Sequence, residues 1–197
     1  MQPQTWWNRH AESQLQTFQS WVGDASAPSK QFCASYCKHR DFTSVLDIGA
    51  GTATFKQSLA DAGCAASYTA VDSCMYFIEQ AKAKGIATIE SDLRAIALNE
   101  NSFDFAFSRH TWEHQPSFRE AASEAIRVCK VEAAHVFFIP PGEQEHINYD
   151  KSTDLYHNTY KKQDIEEWAA NHADVASIRW ETVPGTTEVV LFMRKKQ

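Results

Sequence analysis

From about residue 44 onward, short runs of consecutive apolar residues alternate with stretches in which apolar positions recur every three or four residues. The first kind suits strands covered on both faces. The second suits helices that bury one stripe, and the alternation is the pattern of βαβ units around a parallel sheet. Runs at 44–48, 67–71, 87–90, 103–107 and 135–139 predict five strands, and helices are predicted over 54–62, 75–84 and 117–128. Gly63 and Gly85 end the first two helices, and Pro140-Pro141-Gly142 ends the fifth strand. A helix over 163–172 and two strands over 176–183 and 187–194, joined around Pro184-Gly185, close the chain with a hairpin.

The first forty residues read differently. Helical patterns over 5–22 and 29–38 flank the turn Gly23-Asp24-Ala25-Ser26-Ala27-Pro28, so residues 1–41 are expected as a helical cap on a core of 42–142. Residues 143–162 are polar, rich in Tyr and His, and too long for a plain connection, which suggests a lid over a substrate. Residues 163–197 then supply the last helix and the hairpin, and all 197 residues form one domain.

Composition narrows the function classes. A formal net charge of −6 argues against holding long nucleic acid by phosphate neutralisation. No apolar run approaches the roughly 20 residues of a membrane span, and the N-terminus lacks the pattern of a secretory signal, so a cytoplasmic protein is expected. Five cysteines, at 33, 37, 64, 74 and 129, contain no CxxC pair, which suggests reduced thiols and no metal site.

In an open α/β sheet ligands bind beyond the carboxyl ends of the strands, so the residues just after each strand carry the functional reading. After the first strand, Asp47-Ile48-Gly49-Ala50-Gly51 brings backbone N–H groups close to a ligand at a helix N-terminus, or makes a tight turn without one. Asp72 ends the second strand, where a carboxylate can accept both hydroxyls of a ribose or cap the next helix. Asp92 follows the third strand, where it can accept from an exocyclic amine or serve as a surface cap. Ser108-Arg109-His110-Thr111-Trp112-Glu113-His114 gathers polar, cationic and aromatic groups after the fourth, as a substrate pocket would.

Val45-Leu46-Asp47-Ile48-Gly49-Ala50-Gly51-Thr52 resembles the first motif of class I S-adenosylmethionine-dependent methyltransferases, and the later segments follow that family's order. Trp112-Glu113-His114 is similar to the Glu-His pair of the small-molecule branch called type 11. The resemblance implies an α/β fold, a Rossmann-like three-layer sandwich with a mostly parallel seven-stranded sheet and a C-terminal antiparallel hairpin. It implies S-adenosyl-L-methionine as cofactor and S-adenosyl-L-homocysteine as product. By the same resemblance Asp47, Gly49, Ala50, Gly51, Asp72, Ser73, Asp92, Leu93 and Ser108 would bind the cofactor, with Met75 sharing the adenine contact. The sequence departs from the family at Ala53, where many members carry a third glycine.

The activity implied is in-line methyl transfer to a small molecule, in which a general base is needed only when the acceptor arrives protonated. His114 is the candidate base, or else a brace for its own turn. Arg109, His146, Tyr149 and Tyr160 are the candidate substrate residues, with Tyr156 and His157 beside them in the lid. Trp6, Trp7 and Arg9 either close the cleft or pack the cap. Two other readings stay open: a methyltransferase-like domain that binds cofactor or partner without catalysis, and an NAD(P)-dependent oxidoreductase, whose GxGxxG fingerprint this chain misses at Thr54. No Asn-Pro-Pro-Tyr-like motif is present, and the sequence names neither the acceptor nor the oligomeric state.

Overall fold

The structure, a computed structural model, describes residues 7, 9–13, 25–152 and 154–197. The helix expected over 5–22 lies mostly outside the described residues, although Trp7, Arg9 and His10 are helical. The second expected helix is α1 (Pro28–His39), which opens on its proline, where a missing N–H costs no hydrogen bond. There follow β1 (Ser44–Ile48), α2 (Phe55–Asp61), β2 (Ser67–Asp72), α3 (Met75–Ala83) and β3 (Ala87–Glu90). Next come β4 (Phe103–Arg109), a 3-10 turn (Trp112–His114), α4 (Arg119–Val128) and β5 (Cys129–Phe137). The short pair β6 (Tyr149–Asp150) and β7 (Leu155–Tyr156), helix α5 (Lys162–Asn171) and strands β8 (Val175–Thr182) and β9 (Val189–Lys195) complete the fold.

The main sheet has the order β3-β2-β1-β4-β5-β9-β8. Its first five strands are parallel and β9 runs antiparallel to both β5 and β8, so the expected α/β sheet with a terminal hairpin is found. The hairpin inserts its second strand beside β5 and leaves β8 at the edge. Burial explains that order: Val190-Leu191-Phe192-Met193 is fully buried, whereas β8 is largely half-buried or exposed.

Several boundaries differ from the pattern, most by a residue or two. β4 runs two residues further than 103–107, because Ser108 and Arg109 pair with His135 and Val136 of β5. β5 begins at Cys129, six residues before the apolar run suggests. Lys130 and Glu132 interrupt that run, yet Glu132 is buried and its carboxylate accepts a 2.6 Å hydrogen bond from Arg179 of β8. α4 starts at Arg119 rather than 117.

The strand period of two divides the core. Phe105 and Phe107 of β4 face α1 and α2 with Phe42, Phe55 and Phe192, and the Phe55 and Phe107 rings stack with centroids 3.9 Å apart. Each such ring stabilises the fold by about 2–3 kcal/mol through burial. Cys33 and Cys37 point into this same layer, where burial pushes both thiols well above their ordinary range. The opposite face packs Trp112, Phe118, Phe137 and Tyr160 against α4 and α5. The sheet order reverses between β1 and β4, and that places the carboxyl tips of β1, β2 and β4 side by side.

Candidate functional site

The glycine loop is held from below and covered from above. Gly49 and Ala50 both donate their N–H to the carbonyl of Val71 on β2, at 2.8 and 3.0 Å. Gly49 has φ +70°, and a Cβ there would lie 2.4 Å from the Thr111 methyl, so only glycine lets the segment after β4 close on this loop. Ala53 also has a left-handed backbone, with φ 56°, and is 3% exposed. This is the position where the resemblance called for glycine, and alanine holds it at a cost of about 1 kcal/mol.

Three carboxylates stand at successive strand tips. Asp47 is 4% exposed and accepts the Tyr68 hydroxyl at 2.5 Å. Burial raises its pKa to about 6, against the pull of that hydrogen bond and of the nearby Lys30 cation. Asp72 accepts the N–H of Gly51 on one oxygen, at 2.8 Å, and that of Cys74 on the other, at 2.9 Å. It therefore joins the glycine loop to the start of α3, and burial lifts its pKa in spite of those backbone donors. Ser73 sits half-buried between these contacts. Asp92 accepts the backbone N–H of Arg94 at 2.9 Å and meets its guanidinium at 2.6 and 3.1 Å, while Leu93 packs on the core.

At the tip of β4 the partners come from far along the chain. Arg109 donates to Ser29 of α1 at 2.9 Å and to Glu188 at 2.8 Å. Glu188 also meets Nε2 of His110 at 2.5 Å. Burial opposes the charge on Glu188, but the His110 hydrogen bond and the Arg109 cation hold its pKa down to about 2. His110 itself has φ 56°, a strained backbone for a residue with a side chain. Arg109 Nη1 and Thr111 Oγ1 are buried without a hydrogen-bond partner among the described residues, and such atoms mark a place where something else completes the bonding.

The Trp112–His114 turn is fixed by a buried chain of polar groups. Glu113, fully buried, accepts the backbone N–H of Phe138 at 2.9 Å on one oxygen and Nε2 of His135 at 3.0 Å on the other. Since a carboxylate only accepts, His135 carries its proton on Nε2, and its Nδ1 accepts the Ser108 hydroxyl at 2.7 Å. His135 stacks flat on Trp112, with ring centroids 4.1 Å apart. Ser108, 1% exposed, thus turns into the core and spends its hydroxyl on β5. Ser108, His135 and Glu113 resemble a hydrolase relay in order, but all three are sealed from any substrate.

His114 points away from this chain. Its Nδ1 lies 2.7 Å from the carbonyl of Tyr156, and its ring lies beside those of Phe138 and His157. Burial lowers its pKa below the usual histidine value, against that hydrogen bond.

Within 143–160 the expected substrate residues separate. Tyr160 is 1% exposed and donates to the carbonyls of Trp112 and Gln115, at 2.6 and 3.0 Å, so it pins the turn rather than offering its hydroxyl outward. His146 is exposed, its backbone paired with Thr159, and Tyr149 is 40% exposed with its hydroxyl on Asp154. Asn158, absent from the sequence reading, is fully buried and bonds Asn148, Gln115 and Tyr160. Arg9 reaches Asp154 at 3.7 Å while Trp7 packs on Phe77, and Trp6 lies outside the described residues. Lys30, Tyr68, His135 and Glu188 also escaped the sequence reading. None stands within a motif, and each is brought in by folding.

Comparisons with known proteins agree with this geometry. Residues 46–137 match the family model described as a methyltransferase domain. A search of curated proteins gave no match. The fold is that of class I methyltransferases. A 1,6-didemethyltoxoflavin-N1-methyltransferase from Burkholderia thailandensis, solved with its substrate and S-adenosylhomocysteine, is similar with a TM-score of 0.69 and 15% identity over 98% of this chain and 88% of that one. The magnesium protoporphyrin IX methyltransferase of Synechocystis, solved with S-adenosylhomocysteine, is similar with a TM-score of 0.69 and 13% identity over 98% of each chain. An O-methyltransferase-type structure from Nostoc punctiforme has a TM-score of 0.70 and 16% identity, and matches 90% of this chain against 59% of its own length. Among the described residues no helix is long and apolar enough to cross a membrane.

Proposed function

We propose that this protein is an S-adenosylmethionine-dependent methyltransferase that acts in the cytoplasm on a small-molecule acceptor by in-line transfer. One observation carries the reading: Gly49 is closed over by Thr111 between the tips of β1 and β4, with Asp47, Asp72 and Asp92 at the tips of β1, β2 and beyond β3. A loop stripped of side chains with an acid at each neighbouring strand end suits an elongated ligand with a cationic amine, a ribose and a purine. Solved neighbours contain S-adenosylhomocysteine, which supports the same ligand class.

In this reading Asp47 holds the ammonium, Gly49, Ala50 and Gly51 line the methionine end, and Asp72 takes the ribose hydroxyls. Ser73, Asp92 and Leu93 flank the adenine. Ser108 acts from behind, by fixing β4 to His135. Arg109 has one guanidinium nitrogen unpaired and lies close enough to Asp47 to lower its pKa, which suits a carboxylate beside the ammonium. When bound, the cofactor supplies a sulfonium-activated methyl group. The residues of this chain supply position and dryness. Residues 143–162 form the acceptor side, with His146 and Tyr149 at its exposed rim and Tyr160 as its internal anchor. His114 faces that side and is the catalytic candidate.

Calorimetry tests the reading. Micromolar binding of S-adenosylhomocysteine with no heat from NAD is the expected result. Failure to bind either adenosyl compound would sink it, and binding with no turnover on any metabolite extract would favour a non-catalytic domain.

A further inference from the structure

The main sheet ends in two unlike edges. At one, β3 has four residues and is too short to template another strand. At the other, β8 has eight, and among the described residues no strand pairs with its outer side. The hairpin sets the direction of its backbone groups. The Val183 N–H points inward, to the Glu188 carbonyl at 2.9 Å, and the pairing of Thr182 with Val189 continues from there without a break to Ser177 and Arg194. Backbone direction alternates along an antiparallel strand, so Ser177, Arg179 and Glu181 also turn their N–H and C=O to β9. Ile178, Trp180 and Thr182 turn theirs to the open side.

Side chains alternate in step. Arg179 and Glu181 share the face toward α1, where the Arg179 guanidinium lies 3.8 Å from the Phe192 ring centre and its Nε donates to Glu181 at 2.7 Å. Both side chains remain 38% exposed. Trp180 lies on the other face beside Phe137, with the Lys162 ammonium 5.3 Å from its ring centre. A row of unmade N–H and C=O groups recruits a strand, and charge decides which register it takes. For an antiparallel second copy, a two-fold axis at Arg179 sets that cation opposite itself, and an axis at Glu181 does the same for the carboxylate. An axis at Trp180 sets Arg179 opposite Glu181 of the second copy on both sides, and brings Ile178 to its Thr182 with outward groups on both strands.

We infer that β8 is a dimerisation edge whose occupant is a second copy of this chain, paired antiparallel about a two-fold axis at Trp180. The two seven-stranded sheets then continue into one. The bulge between Val175 and Ser177 and the proline at 184 confine the pairing to the stretch between them. Each copy offers the same strand to the other, so the contact closes at two chains and does not propagate. β5 and β9 stand between β8 and β4, which leaves the strand tips around Gly49 open in both copies. The inference does not depend on the reaction.

Analytical ultracentrifugation of the full chain across micromolar concentrations tests this, with amide hydrogen exchange to locate the contact. The expected result is a monomer–dimer equilibrium. The amides of Ile178, Trp180 and Thr182 should gain protection as the concentration rises, while those of Arg179 and Glu181 are protected throughout. Thr182→Pro removes an outward N–H and leaves the ladder to β9 whole, and Glu181→Lys sets like charges on both sides of the axis. Each should raise the dimer dissociation constant at least ~10-fold, with circular dichroism and a cooperative melt showing that the variant is folded. A monomer at every concentration would overturn the proposal and leave this edge to a different protein or to none. A dimer that leaves those three amides unprotected, or undiminished dimerisation in both folded variants, would overturn it equally.

Discussion

The two halves of the sheet edge are built from different materials. Around β1, β2 and β3 the contacts lean on the backbone: Gly49 and Ala50 on Val71, Asp72 on Gly51 and Cys74, and Asp92 on Arg94. Around β4 and β5 they join side chain to side chain, as in Arg109 and His110 with Glu188, 79 and 78 positions away, and Glu113 with His135. The first half suits a ligand of constant shape, since backbone donors do not change when side chains mutate. The second can be rebuilt one side chain at a time, as a changing acceptor would require.

The comparison is broken most forcefully at Glu113. Glu113→Ala removes an acceptor shared by His135 and Phe138 inside the core, and should lower stability by about 4 kcal/mol in urea unfolding. A loss under about 1 kcal/mol would mean that the side-chain half is not held as a network. Next is Asp72, whose carboxylate joins the glycine loop to the start of α3. Asp72→Ala should weaken S-adenosylhomocysteine binding by about 3 kcal/mol, because it loses ribose acceptors and also frees Gly51. Unchanged affinity in a folded variant would refute the ribose role.

A smaller effect should appear with pH. Asp47, lifted to about 6 by burial, is protonated below that value and must ionise to meet an ammonium. Cofactor affinity should therefore fall as pH drops through about 6, by up to tenfold per unit, and stay level above it; Asp47→Asn should bind weakly with no such slope. In the ligand-free protein the sign reverses. A raised carboxyl pKa means that stability declines as pH climbs from the ordinary carboxylate range to about 6, and the Asn variant should lose that decline too. A calorimetric series against pH with no slope would remove the Asp47 assignment.

The smallest effect has the opposite direction. Ala53→Gly relieves the left-handed backbone at φ 56° and should raise the melting temperature slightly, by about 0.5–1 kcal/mol of stability after the entropy cost of glycine. A decrease would show that the Ala53 methyl, 3% exposed among Phe55 and its neighbours, is worth more as packing than the strain costs.

Legibility followed the same division. The strand runs, the glycine loop and the acids after each strand are local patterns, and the sequence order of β1 to β4 carried them. Within the same motifs Ser108 is expected at the cofactor, while alternation along β4 turns its side chain inward onto His135, a partner that nothing nearby in sequence reveals. Tyr160 was expected at an acceptor and anchors the turn instead. Lys30 and Glu188 were missed for one reason: each lies in an unremarkable segment, on α1 or just before β9, and reaches the site only through the packing of those elements.

By itself the sequence determined the layer architecture, the glycine loop with an acid after each neighbouring strand, and the position of the turn that carries Glu113 and His114. Those follow from hydrophobic period, from turn residues and from groups within a few positions of one another. Tertiary structure alone decided which strand of the hairpin fills the sheet, which histidine is buried and which faces outward, and that a backbone carbonyl 42 positions away fixes the His114 tautomer. Proton placement depends on the partner at the other end of a hydrogen bond, and a chain has no partners until it folds.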